Sequence, residues 1–146
     1  DQIRIVNNDL PRQLIHRDVH FGNFLFLNGE FTGYIDFDLS QKNIRIFDLC
    51  YFLAGLLTDK NIKSFSIEEW ILFIKYTVNG YETQIKLNES EKFAFSMVME
   101  GIELLCASYF IGINNCDVAN DCIKVYNKIK TLEKDILACV SNDNSL

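Results

Sequence analysis

Proline is nearly missing from this chain, one residue in 146, and only seven glycines accompany it. Pro-rich spacers and Gly/Ser linkers are thereby excluded. With 49% apolar residues, a packed, helix-rich globule is expected rather than disorder. Basic charge is scarce too: fourteen lysines and arginines face twenty aspartates and glutamates, a net charge of −6. A nucleic-acid footprint needs a basic stripe, so no nucleic-acid partner is expected. The same deficit makes a polyanionic ligand awkward, because positive charge must then arrive from metal ions or from protein outside this chain. No CxxC pair occurs among Cys50, Cys106, Cys116, Cys122 and Cys139. Zinc sites need thiolates at tight spacing and secreted frameworks need even counts; buried, reduced thiols of a cytoplasmic protein are expected instead. No charge-free apolar run is long enough to span a bilayer, and no signal peptide opens the chain, so no membrane partner is expected. The longest apolar stretch, Phe93 to Ile113, carries Glu100 and Glu103 and is expected as a buried central helix. Residue 1 is Asp1 rather than methionine, which suggests that an N-terminal portion is missing.

What is present falls into two halves. Between Leu14 and Asp36 the pattern is short-period. The apolar pair Leu14-Ile15 leads into a polar stretch, His16 to Asn23. Phe24 to Leu27 is a brief apolar run, Asn28-Gly29 is a tight-turn dipeptide, and Phe31 to Ile35 is a second run. This predicts a β-hairpin that starts just after Asn23 and ends at Asp36, making those two residues spatial neighbours. After Asp36 the character is helical. Arg45 to Thr58 is apolar on nearly every side and is expected to be buried. Ser66 to Glu69 spells a capping box, after which Ile67, Trp70, Ile71, Ile74, Val78 and Tyr81 share one face. Asn88 or Ser90 is expected to cap the next helix, which runs to about Ile113 and breaks at Asn114-Asn115. A last helix carries Val118, Cys122, Val125, Ile129, Leu132, Ile136 and Cys139. That spacing suits either a coiled-coil seam or a helix packed on its own domain, and the second is favoured. The tail from Ser141 is expected to fray.

Chemistry concentrates in His16-Arg17-Asp18-Val19-His20-Phe21-Gly22-Asn23, followed by Ile35-Asp36-Phe37-Asp38. The first string fits H-R-D-x-x-x-x-N, and an Asp-Phe pair follows across the hairpin. Phosphoryl transfer needs alignment and charge neutralisation rather than covalent chemistry. One carboxylate must orient the acceptor hydroxyl and accept its proton, and hard oxygen ligands must hold Mg²⁺ against phosphate oxygens. Asp18 suits the first task; Asn23 and Asp36, brought together by the hairpin, suit the second.

These strings resemble the catalytic loop of protein kinase-like folds, and more closely that of the aminoglycoside phosphotransferase and choline kinase-like family. His20 and Gly22 match that family's second histidine and its glycine before the Asn. Tyr34-Ile35-Asp36-Phe37-Asp38 and Phe47-Asp48-Leu49-Cys50-Tyr51-Phe52-Leu53 are similar to the branch containing type II homoserine kinases and spore-coat kinase-like proteins. The resemblance covers about Leu14 to Leu57. It implies an α/β, predominantly α architecture: the C-terminal lobe of a kinase-like fold, with a small hairpin beside the catalytic loop. Residues 1–60 would carry the loop, hairpin and first helix, and 61–146 a helical subdomain. The implied activity is Mg-ATP-dependent transfer of the γ-phosphoryl group to a hydroxyl of a small polar substrate. Asp18 is the implied base, Asn23 and Asp36 are the implied Mg²⁺ ligands, His16 braces the loop, and Asp48 anchors it. Leu25 and Ile35 are the implied floor under adenine.

Some features depart from the family. Asn43-Ile44-Arg45 stands where Gly-Asp-Pro is usual. No Ala-Pro-Glu follows Asp36, which argues against a protein kinase. A glycine-rich loop and a strand lysine are also absent, so an N-terminal ATP-binding lobe is expected outside this chain, and the chain alone is expected to be inactive. Asp38 is either a further metal ligand or a solvated turn residue, the latter favoured. Arg17 is either a surface charge or a partner for a substrate anion. His16, Asp18 and His20 also spell H-x-D-x-H, but imidazole-bound zinc would require neither Asn23 nor Asp36. Glu100, Glu103, Asp117 and Asp121 suit a solvated helix face better than a lure for a cationic acceptor. The aromatic run Phe21, Phe24, Phe26, Phe31 and Phe37 is expected in the core. The rival from another class is a non-catalytic kinase-like binding or scaffold protein, for example spore-coat associated.

Overall fold

Among the described residues, two antiparallel ribbons precede five α-helices. A computed structural model describes residues 7–58 and 66–141 of the chain; the expected subdomain boundary near Asn61 and the tail from 142 to 146 lie outside the described residues. β1 (Arg12–Ile15) pairs with β4 (Gln41–Ile44), from Arg12↔Ile44 to Ile15↔Gln41. The ribbon therefore clamps the base of the excursion 16–40, which contains the second ribbon, β2 (Phe24–Leu27) and β3 (Glu30–Tyr34). β4 has no counterpart in the sequence reading. Its stretch Gln-Lys-Asn-Ile holds one apolar residue, and it becomes a strand because β1 offers a ladder. Arg45 extends that ladder through its N–H to the Pro11 carbonyl at 2.9 Å.

The hairpin turns at Asn28 (φ 53°) and Gly29 (φ 84°), the paired left-handed conformations that a two-residue type I′ turn requires. Pairing then slips by one residue: Phe26↔Phe31 is followed by Leu25↔Gly33. Thr32 is the extra residue of this β-bulge, and its hydroxyl donates to the Leu25 carbonyl at 3.1 Å. The slip sets Ile35, not Tyr34, opposite Asn23, and the Ile35 N–H donates to the Asn23 carbonyl at 3.0 Å. Asp36 thus follows one step from the residue facing Asn23.

The helices are α1 (Phe47–Thr58), α2 (Ile67–Glu82), α3 (Glu89–Gly112), α4 (Cys116–Thr131) and α5 (Glu133–Val140). Capping boxes start α2 at Ser66/Glu69 and α3 at Asn88/Glu91, worth about 1 kcal/mol each. The core is continuous across all five helices, with Ile46, Leu53, Trp70, Ile74, Phe95, Met99, Ile129 and Ile136 sealed from solvent. Trp70 also places its indole N–H on the Leu53 carbonyl at 2.9 Å, tying α2 to α1. By length and composition α3 would cross a bilayer; here it is the central helix, packed against α1, α4 and α5.

Four expectations are corrected. The last helix is two, because the chain breaks at Leu132, whose N–H bonds the carbonyls of Lys128 and Ile129; the seam Cys122, Val125, Ile129, Ile136, Cys139 is spent inside the fold. The helix expected from Arg45 begins at Phe47. Of the five free cysteines only Cys50, Cys122 and Cys139 are buried, while Cys106 is half-buried and Cys116 exposed. Phe21, Phe26, Phe31 and Phe37 are exposed rather than core. All but Phe37 join an edge-to-face ring cluster that ties the hairpin to Phe52 of α1.

Arg45 itself is buried against Glu91. The guanidinium meets the carboxylate in a two-pronged pair, Nε to Oε1 and Nη2 to Oε2 at 2.6 Å, and Nη2 also donates to the Lys86 carbonyl at 2.7 Å. The residues replacing Gly-Asp-Pro therefore bolt the entrance of α1 to the start of α3.

Candidate active site

The loop 16–23 is held from three sides. Asp48, in the first turn of α1, accepts the backbone N–H of His16 on Oδ2 and that of Arg17 on Oδ1, both at 2.8 Å. A carboxylate taking two neighbouring amides fixes the peptide plane between them, which sustains the left-handed φ of 76° at Arg17. The Arg17 side chain is exposed. His16 is buried, with Nε2–H donating to the Ile35 carbonyl at 2.8 Å and Nδ1 accepting from the Asp18 N–H at 3.3 Å. Its ring packs on Phe37 at 4.6 Å. Both ring nitrogens are thereby engaged, which removes His16 from any zinc set and leaves H-x-D-x-H without its first ligand.

His20 caps the 3₁₀ turn Phe21–Asn23 by accepting the Gly22 N–H on Nδ1 at 3.0 Å. A Cβ at Gly22 would meet the imidazole at 2.7 Å, so glycine is what lets the ring fold over that amide. The opposite nitrogen of His20 lies 3.6 Å from Asp18 Oδ2.

Asp18 is half-buried and fastened on both oxygens. The Tyr51 hydroxyl donates to Oδ1 at 2.8 Å, and the Asn23 amide nitrogen donates to Oδ2 at 3.3 Å and to the Asp18 carbonyl at 3.0 Å. Burial, then the hydrogen bond to Asp18, pushes the Tyr51 phenol well above its ordinary range. It stays a donor at every physiological pH. Tyr51 was given no role from sequence, although Asp48 and Tyr51 stand three apart on one helix face, a spacing that aims both at the same loop.

Asn23 is buried, and with its nitrogen committed to Asp18 its amide oxygen takes no hydrogen bond among the described residues. Asp36 is exposed with φ 64°, held there by the Ile35 bonds to Asn23 and His16. An amide oxygen and a carboxylate are hard donors that fit Mg²⁺, which keeps several waters and needs no all-protein cage. Among the described residues no group of three or more His, Cys, Asp or Glu forms such a cage. Asp38 lies exposed in the turn closed by the Ser40 N–H on the Phe37 carbonyl, and Leu25 and Ile35 are exposed on the hairpin.

Asp18 and His20 open onto a cavity of about 530 Å³ whose other walls include Tyr51, Phe52, Glu103 and Asp121. Here the expected solvated acidic face needs correction. Asp117 is exposed and Asp121 is paired with Lys124 at 2.8 Å, but Glu103 is only 3% exposed. Burial pushes its carboxyl up to about 7, against a weaker opposing bond from Cys122. Burial likewise raises the Cys106 and Cys122 thiols to about 11 and 12, so neither is a thiolate nucleophile at neutral pH.

Comparison with known proteins gives the family. The profile of the phosphotransferase enzyme family matches residues 2–93, which is more than half of the chain. A homoserine kinase of Zymomonas mobilis is 31% identical over 98 residues, 66% of this chain and 28% of that protein. Homoserine kinases of Gluconobacter oxydans and Phenylobacterium zucineum are 33% and 32% identical over 94 and 95 residues, again 28% of each. The chain belongs to the phosphotransferase enzyme family. It spans little more than a quarter of the length of these relatives, and no solved structure is matched.

Proposed function

We propose that this chain is the C-terminal, catalytic lobe of a protein-kinase-like phosphotransferase, cytoplasmic, that moves the γ-phosphoryl group of ATP to a hydroxyl of a small polar acceptor. An N-terminal lobe outside this chain completes the nucleotide site; the greater length of the relatives supports that division. One observation carries the reading: Asp18, with a donor on each carboxylate oxygen, stands at the wall of a cavity of small-molecule size. The acceptor enters the cavity with its hydroxyl at Asp18. As the acceptor oxygen bonds to the γ-phosphorus and the bond to the β–γ bridging oxygen breaks, Asp18 takes the hydroxyl proton and ADP leaves. Tyr51 and Asn23 keep the carboxylate facing the acceptor, and Asp48 keeps the loop that presents it. Mg²⁺, when bound, supplies neutralising charge at the phosphates, and Asn23 Oδ1 and the Asp36 carboxylate are the groups that would hold it. The relatives' names make homoserine the first acceptor to assay; aminoglycosides, choline and sugar-like alcohols follow.

The test is Asp18→Asn in the full-length enzyme. ADP formation with an active acceptor should fall by roughly 10²–10⁴, the usual worth of a positioned base, with an unchanged melting temperature. An unaltered rate removes Asp18 from the chemistry and the proposal with it.

A further inference from the structure

Among the described residues that line the Asp18 cavity, His20 carries the one side-chain N–H, and the fold fixes which nitrogen bears it. Nδ1 accepts the Gly22 amide at 3.0 Å. A ring nitrogen that accepts carries no proton, so the imidazole proton sits on Nε2. Structure alone asks little of this ring. Its side chain is 52% exposed and stands outside the core. Capping the short turn Phe21–Asn23 takes one acceptor, which the oxygen of an asparagine would supply. What the imidazole adds is a second polar atom aimed at the base, 3.6 Å from Asp18 Oδ2. That gap is too long for a hydrogen bond, so a donor and an acceptor stand side by side at the cavity wall. Gly22 serves the same arrangement. Apart from its chain neighbours, a Cβ there would meet only the imidazole, Cε1 at 2.7 Å and Nδ1 at 3.0 Å. The backbone at Gly22 is not left-handed, so it is the ring, and not φ, that requires glycine.

We propose that His20 is a catalytic residue: its Nε2–H donates to the acceptor oxygen while Asp18 Oδ2 takes that hydroxyl's hydrogen, and the Gly22 amide holds the ring in the tautomer this requires. The inference rests on the phosphotransferase reading above and adds a second contact at the reacting atom. Asp18 alone leaves the hydroxyl free to turn about its one hydrogen bond. A donor on one lone pair fixes the oxygen and leaves the other lone pair to face the phosphorus. An oxygen about 2.8 Å from each group fits between atoms 3.6 Å apart. As the oxygen–phosphorus bond forms, the hydroxyl proton passes to Asp18, and ADP leaves with the electrons of the broken bond to the bridging oxygen. His20 keeps its own proton throughout.

His20→Asn and His20→Gln separate the two nitrogens. Asparagine keeps an oxygen for the Gly22 amide and loses the N–H beside Asp18, whereas glutamine can extend an N–H to Asp18 and loses the cap. ADP formation is read in the full-length enzyme at saturating Mg-ATP, with homoserine and choline as acceptor probes. His20→Asn should lower kcat/KM for the acceptor by about 10- to 100-fold at an unchanged melting temperature. His20→Gln should melt lower yet turn over faster than His20→Asn; a mere cap predicts the reverse order. Gly22→Ala, which displaces the ring, should slow wild type as His20→Asn does and add little in the His20→Asn background. Nitrogen chemical shifts of the histidine-labelled protein should place the His20 proton on Nε2. The inference is overturned if folded His20→Asn keeps the wild-type rate, if His20→Gln is the slower of the two, or if the ring bears its proton on Nδ1. The kinase reading survives all three while Asp18→Asn remains slow. An unaltered rate in Asp18→Asn beside a slow His20→Asn sinks the assignment of the base instead and leaves His20 at the acceptor. No ADP with any hydroxyl acceptor sinks both.

Discussion

Replacing Arg45 by methionine isolates the fastening on which the catalytic loop indirectly rests. Arg45 is 7% exposed and Glu91 fully buried. In the Arg45→Met protein Glu91 keeps the Asn88 N–H at 2.9 Å but loses both guanidinium bonds, and the Lys86 carbonyl loses its donor as well. A buried carboxylate deprived of its cation costs about 3–5 kcal/mol, a large share of the stability of a domain this size. The double variant Arg45→Met, Glu91→Gln removes the orphaned charge while retaining an acceptor for the α3 cap. It should recover most of the loss and sit about 1–2 kcal/mol below wild type. Urea unfolding of wild type, both single variants and the double variant closes the cycle, and the coupling between the two positions should exceed about 2 kcal/mol. A single-variant cost under about 1 kcal/mol, or a double variant no more stable than Arg45→Met, would refute the reasoning, because the pair would then be decorative.

Two further outcomes follow from the site. Glu103 ionises near 4.5 when unfolded and near 7 when folded, so the folded state holds an extra proton between those values; its contribution to stability is present below about pH 4.5 and lost as pH rises through 7, by about 3 kcal/mol at most. Unfolding midpoints of wild type minus Glu103→Gln should trace that slope, and parallel pH profiles would show that the acid is not desolvated. Asp36→Asn, which keeps a residue tolerant of the left-handed conformation found there, should lose the magnesium-dependent part of ATP affinity in calorimetry on the full-length protein; an undiminished magnesium effect would remove Asp36 from the metal site.

Local signals survived the passage from sequence to fold, and pairings that depend on distant partners did not. Asn28-Gly29 was legible as a turn because its two residues alone favour positive φ. The capping box at Ser66 was legible for the same reason, since cap and acceptor lie three residues apart, whereas at the next helix Asn88 and Ser90 were equal candidates and the structure chooses Asn88. The bulge at Thr32 was not, yet it sets Ile35 rather than Tyr34 opposite Asn23. β4 was invisible because its strand character is conferred by β1 across the excursion 16–40. The break at Leu132 was hidden by apolar spacing that continues straight through it, and Glu103 was masked because the sequence does not separate it from Asp117, which is exposed, or from Glu100 and Asp121, which are half-buried.

The clearest case is the place where the chain departs from its family. Asn43-Ile44-Arg45 in place of Gly-Asp-Pro puts the geometry leading into α1 in doubt when read as text. In three dimensions the Asn43 side chain accepts the Ile44 N–H at 2.8 Å, Arg45 extends the β1–β4 ladder, and its guanidinium grips Glu91. Three residues later Asp48 receives the His16 and Arg17 amides at equal distances of 2.8 Å. The entrance of α1 is stiffened by a long-range ion pair, which positions that carboxylate by tertiary contact instead of by local backbone restriction. Any substitution that unseats Glu91 is therefore expected also to loosen the entrance of α1 and, through Asp48, the loop carrying Asp18.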